Sequence, residues 1–269
     1  MIKYGLQAYT WQMSYEKYAD KIEHLLDITR QGHLHGLEAE TCMLGKYFDS
    51  PEAFKALLEE KGVELGAVCL VCDWLHESET SEEATLADKS MNFVKTFPNT
   101  LLALCQMPQN DRTHLAERQK NALMCVNNVA KRAADLGVKS VFHPNSPPGS
   151  VFRTWDDYRV MLDELDSRYV GFAPDSGHII NGGINVYDLF RDYMSLIRHV
   201  HFKDVGADSV WRMMGEGITD FERIVSMLHS SGYNGYIMVE DESPEAEVDP
   251  DAVSIKNAEY IHRKLMPLE

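Results

Sequence analysis

Tyr169–Val205 reads YVGFAPDSGHIINGGINVYDLFRDYMSLIRHVHFKDV. Two short apolar runs, Tyr169–Ala173 and Arg198–Phe202, flank the amphipathic stretch Val186–Ile197. Strand, helix and strand in that order form a βαβ unit, which joins parallel strands. Both runs hand over to ionisable residues. The first leads to Asp175 and, past Ser176 and Gly177, to His178. The second carries His199, His201 and Lys203 at alternate positions, followed by Asp204. Residues two apart in a strand share a face, so these three side chains point the same way.

Working outward, the same alternation fills the chain. Apolar runs fall at Ile2–Ala8, Gly36–Ala39, Val63–Val71, Leu101–Gln106, Val138–Phe142 and Gly235–Val239. Amphipathic stretches lie between them, at Tyr15–Arg30, Pro51–Glu60, Glu117–Leu136, Trp155–Leu165 and Asp220–Ser230. Gly62, Gly137 and Gly232 stand where helices end, and Ser50 and Asp220 where they begin. Eight runs in 269 residues match the arithmetic of an α/β (β/α)8 TIM barrel, a single domain over 1–269. A doubly wound sheet would want a glycine-rich phosphate turn after the first strand, and GLQAYTW has none. The acidic segment Asp241–Asp251 reads as a solvated loop.

The formal charge is −16, which repels phosphate backbones and argues against nucleic acid. No run of about 20 apolar residues predicts a membrane span, and the N-terminus lacks a signal-peptide pattern. The five cysteines are an odd number spread through core-like runs, as in a reduced, cytoplasmic protein. Cys69 and Cys72 form a lone CxxC, but in a strand they face opposite sides.

In a TIM barrel the chemistry sits at the C-terminal strand ends. Strand two ends at Glu38 and Glu40, strand five at His143, strand six at Asp175, strand seven at His201 and Lys203, and strand eight at Glu240 and Glu242. Such a mixture of carboxylates and imidazoles suits a divalent cation: manganese first, with magnesium, cobalt and zinc compatible. His199 lies deeper and reads as a packed histidine. Gln7, Trp11, Trp74, His76 and Gln106 fall near strand ends and are candidate substrate contacts, with Trp11 and Trp74 as stacking surfaces or core. Arg153 and Arg212 are candidate anion binders.

The segments APDSGHIINGG, RHVHFKDV, MGEGITDFERI and GYNGYIMVEDES, in this order, resemble the sugar phosphate isomerase/epimerase group of xylose-isomerase-like TIM barrels. The likeness is strongest to inosose dehydratases and to lyase subunits that cleave keto C-glycosides. It implies Asp175, His201 and Glu240 as metal ligands, His178 and Glu38 as substrate contacts, and Lys203 as the lysine of the HxKD segment. Lys203, at the strand mouth, is also a candidate catalytic donor to a substrate oxygen or enolate, and Glu240 is a candidate for ligand alone or for a share in proton transfer. The epimerases carry Glu at the end of strand five. His143 stands there instead, as in the dehydratase branch, either as base or as fourth ligand.

The expected reaction is therefore a metal-assisted lyase step on a keto sugar or polyol. The proton alpha to the ketone leaves, and a beta substituent is eliminated. Isomerisation or epimerisation through the same enolate is the alternative, as is a metal-binding subunit that needs a small partner chain. A homo-oligomer is compatible. An apurinic endonuclease shares the barrel, but the chain is too acidic and its metal set too short.

Overall fold

The computed structural model of the chain describes residues 1–268. Eight parallel strands form its centre: β1 Lys3–Gln7, β2 Gly36–Glu40, β3 Glu64–Cys72, β4 Leu101–Gln106, β5 Lys139–His143, β6 Val170–Phe172, β7 Val200–Phe202 and β8 Tyr236–Val239. They run β6-β5-β4-β3-β2-β1-β8-β7. The seam between β6 and β7 is closed by parallel bridges pairing Phe172 with Ile197 and Asp175 with His201. The barrel is thus complete, and its seam places two predicted site residues side by side. Among the described residues no helix is long and apolar enough to cross a membrane.

Two apolar layers hold it together. Phe142, Phe172 and Phe202 face outward and are buried under helices, together with Val126, Leu189 and Ile224. Inside the barrel the residues are small: Ala67, Cys69, Ala103, Val141 and Ala173. The large interior side chain Met238 is accommodated by glycine. A Cβ added at Gly66 would lie 2.0 Å from Met238 Cε, and one at Gly5 2.5 Å from its Sδ. Alternating large and small residues in this way packs a barrel interior without voids.

Several expectations change. The stretch Tyr15–Arg30 is two helices, Tyr15–Tyr18 and Ile22–Gln31, because Lys21 leaves helical backbone at φ −112° and ψ 22°. Ser50 makes no side-chain cap, and Pro51 sets that helix start instead. Asp220 does cap, accepting from the Arg223 amide at 3.0 Å. Gly62, Gly137 and Gly232 take positive φ at their helix ends.

The segment Asp241–Asp251 is not a solvated loop. Asp241 is buried and accepts from Asn257 Nδ2 and the Ser243 amide at 2.8 Å each. Helices Pro244–Val248 and Pro250–Tyr260 follow, capped by Ser243 and Asp249. Its charge count hid two capping residues. A further helix, Ser81–Val94, was not anticipated. Its signal was present in TSEE: the Thr80 hydroxyl accepts from the Glu83 amide, and the Glu83 carboxylate accepts from Thr80 N–H.

Candidate functional site

Four strand ends converge on one point. His143 closes β5, Asp175 follows β6, His201 sits in β7, and Glu240 follows β8. One ligand-type atom from each lies within 4.8 Å of the others, and all four residues are buried. Asp175 has a double role. Its Oδ1 accepts from the His178 amide at 2.7 Å, capping helix Ser176–Asn181, which leaves Oδ2 for the site. Gly177 lets that helix approach β7, since a Cβ there would lie 2.9 Å from Lys203 Cβ.

Beneath this group lies a supporting layer. Glu38 is fully buried, and its Oε2 binds His199 Nε2 at 2.5 Å. Cys69 Sγ donates to Glu38 Oε1 at 2.8 Å. His201 Nε2 also lies 2.9 Å from Glu38 Oε1, though too poorly aligned for a hydrogen bond. His201 Nδ1 faces Glu240 Oε2 at 3.2 Å. Glu38 therefore lies beneath the imidazole of His201 and does not line the cavity above it.

Lys203 lies behind the site. Its side chain is 1% exposed, and its ammonium donates to Glu240 Oε1 at 2.5 Å, to Glu242 Oε1 and to His178 Nε2. His178 Nδ1 faces Ser146 Oγ at 2.8 Å. Lys203 is absent from the cavity wall, so its contact with a substrate oxygen, expected from sequence, is replaced by contacts to two carboxylates.

The cavity over these groups has a volume of about 520 Å³. His143, His178, His201, Glu240, Gln7 and Gln106 line it, as does Arg153. Besides Glu38, three expected contacts do not. Trp11 is fully buried, donating from Nε1 to Asp251 Oδ1 at 2.6 Å. Trp74 is fully buried as well. His76 is exposed and outside the wall. Arg212 is paired with Asp208 at 2.7 Å. The wall instead presents Tyr9, Gln12, Glu40 and Trp211, none of which was singled out as a contact. Trp211 lies in a two-residue antiparallel pairing with Asp204–Val205, too short to read from periodicity. Its ring meets that of His178 edge-on at 5.4 Å. Glu40 already stands at the end of strand two in the sequence, and its place two residues past Glu38 on the same face of β2 carries it to the wall.

Burial and charge set the protonation states. Burial alone would raise Asp175 and Glu240, but neighbouring cations hold both below the usual carboxylate range: Lys203 and His143 for Asp175, Lys203 and His201 for Glu240. Burial and the Lys203 charge push His178 down to about 3, so it is neutral. Burial, reinforced by Glu242 and Glu240, pushes the Tyr9 phenol up to about 12. Glu40 rises to about 7, chiefly by burial, although Gln12 Nε2 donates to it at 2.8 Å. The site thus offers ionised ligand groups beside a carboxyl that exchanges its proton near neutrality.

Several known proteins are similar to this chain. Inosose dehydratase of Clostridium perfringens (strain ATCC 13124) is 28% identical over 166 residues, 55% of each chain. That of Clostridium beijerinckii is 29% identical over 157 residues, 52% of each. The chain thus matches about half the length of these curated relatives. Among solved structures, the IolI protein with a bound zinc atom superposes with a TM-score of 0.78 at 17% identity, covering 98% of both chains. The 3-keto-D-glucoside 4-epimerase YcjR of E. coli superposes at 0.76 and 16% identity, covering 98% of this chain and 100% of its own. The family model described as xylose isomerase-like TIM barrel matches residues 15–264. That match covers most of the chain and agrees with its closed eight-stranded barrel: the chain belongs to the xylose isomerase-like TIM-barrel family.

Proposed function

We propose that the chain is a divalent-metal-dependent lyase on a keto sugar or keto polyol. The observation that carries this reading is the meeting of His143, Asp175, His201 and Glu240 at the cavity floor. His143 Nε2 and Asp175 Oδ2 are buried with no hydrogen-bond partner among the described residues. Buried polar atoms without partners are costly, and two carboxylates with two imidazoles are a fitting donor set for a small divalent cation. That favours His143 as fourth ligand over its reading as base. When bound, such a cation supplies Lewis acidity to a substrate carbonyl and so acidifies the neighbouring C–H. Manganese is expected first, with zinc, cobalt and magnesium compatible.

The chain's own groups then account for the proton. Glu40 stands on the wall with its carboxyl near 7, suited to accept a proton from carbon at neutral pH. The C–H electron pair passes to the enolate, which returns it to form the alpha–beta double bond as the bond from the beta carbon to its hydroxyl breaks and hydroxide takes that pair. The proton held by Glu40 returns to the departing hydroxide, which leaves as water. Neutral His178 and protonated Tyr9 offer hydrogen bonds to ring hydroxyls, and Trp211 offers a face for sugar C–H groups. The dehydratase names of the sequence relatives support elimination.

The test follows scyllo-inosose and a 3-keto glucoside by NMR in D2O with metal-loaded protein. Loss of a beta substituent is the expected result. Deuterium beside the ketone with a new stereoisomer would select epimerisation. No exchange with either compound, in protein shown to hold its metal, would overturn the substrate assignment.

A further inference from the structure

Among the described residues Lys203 is the one lysine or arginine that is buried. A buried ammonium is costly unless its charge is paired and its protons are bound. Here Nζ donates to Glu240 Oε1 at 2.5 Å, to Glu242 Oε1 and to His178 Nε2 at 3.1 Å. An ammonium has three N–H donors, so the set is complete. The Trp211 ring covers a further side, its centre 5.0 Å from Nζ.

The same three partners form a second kind of set. One ligand-type atom from each of His178, Glu240 and Glu242 lies within 4.8 Å of the other two. The tautomer of His178 suits it. Lys203 can only donate, so His178 Nε2 accepts with its lone pair. The ring proton is then on Nδ1, which donates to Ser146 Oγ at 2.8 Å. An imidazole held this way by an outer partner is the form that binds a metal ion. All three residues line the cavity, and Lys203 does not.

Glu240 belongs to both candidate ligand groups. Its Oε2 faces His201 Nδ1 at 3.2 Å, and its Oε1 faces the ammonium. Asp175 Oδ2, in the first group, is also only 3.9 Å from Lys203 Nζ. Two groups that share a carboxylate are the arrangement of two-ion centres, whose ions stand about 3.5–4 Å apart.

We propose that the Lys203 ammonium stands in for a second metal ion. It fills the cation position between His178, Glu240 and Glu242 and keeps the centre to one exchangeable ion. This rests on the reading of His143, Asp175, His201 and Glu240 as metal ligands, and it makes Lys203 a positioning residue for them. With Oε1 held by Lys203, Glu240 has Oε2 left for that group. A tethered ammonium neither exchanges nor carries water, so the arrangement excludes the paired ions that clamp an in-line displacement. Polarising a carbonyl needs one ion only.

The test is the metal stoichiometry of the full chain loaded with manganese, by elemental mass spectrometry and electron paramagnetic resonance. The parent should hold about one ion even in excess metal, Lys203→Ala about two with an exchange-coupled spectrum, and Lys203→Ala combined with Glu242→Gln about one again. A parent holding two ions, Lys203→Ala holding one, or the double variant keeping two would overturn the inference. So would a Lys203→Ala chain that fails to fold even in saturating manganese, because the second ion should replace the lost charge. A parent that holds no ion would instead overturn the ligand reading beneath it.

Discussion

Asp175 Oδ2 stands 3.7 Å from His143 Nε2, and neither atom has a hydrogen-bond partner among the described residues. The other carboxylate oxygen of Asp175 is committed to the cap of helix Ser176–Asn181. The carboxylate is thereby aimed by the backbone before any ligand arrives. Such preorganisation lowers the cost of binding a cation there.

Asp175→Asn separates the two duties. Asparagine is an equally good helix cap, so the fold should persist. It lacks the charge, so metal affinity should fall on the order of a hundredfold. Metal content by mass spectrometry after dialysis, with circular dichroism alongside, checks this; undiminished metal in a folded variant would remove Asp175 from the ligand set.

Glu38→Gln tests the layer below. Glu38 orients His199 and lies against His201 but does not line the cavity. Removing its charge should weaken metal binding about 10- to 100-fold, the usual cost of an outer partner. KM, measured at saturating metal, should stay close to that of the parent. A large rise in KM instead would return Glu38 to the substrate.

Glu40→Gln addresses the base. A carboxyl with its pKa near 7 accepts protons only when ionised, so exchange should rise with pH through about 7 and level off above. The variant should lose about 10²- to 10⁴-fold in kcat, together with that limb of the profile. Proton exchange in D2O across pH 5.5 to 8.5, roughly, measures both. A variant that keeps the limb would exclude Glu40.

Asp204→Ala concerns the segment that carries Trp211. The Asp204 carboxylate accepts from the amides of Val205, Gly215, Gly217 and Thr219, closing the segment against the end of β7. Leaving those amides unpaired, with Val205 and Thr219 buried, should cost about 2–3 kcal/mol in urea unfolding. KM should rise as Trp211 loses its place, whereas Trp211→Ala should raise KM without the stability loss. Equal stability in Asp204→Ala would show that the amides find other partners.

The sequence by itself determined the barrel and the identity of the residues that meet at its end. Parallel strands buried on both faces must be apolar runs, and their ends must carry the polar groups, so Asp175, His201 and Glu240 stood out where runs stopped. Glycines after helices and the acidic caps are equally local, and TSEE at residues 80–83 carried a helix start of the same kind. Only the tertiary structure decided which polar groups face the cavity. Lys203 alternates with His201 in the chain, yet three partners from elsewhere enclose its ammonium. Trp11 and Trp74 lie near strand ends but turn into the core, and Trp211 reaches the cavity from a segment with no periodicity. Strand alternation fixes a side chain's face, whereas its neighbours, and hence its access to ligand and its charge, come from residues far off in the chain, 161 positions away for Glu38 and His199.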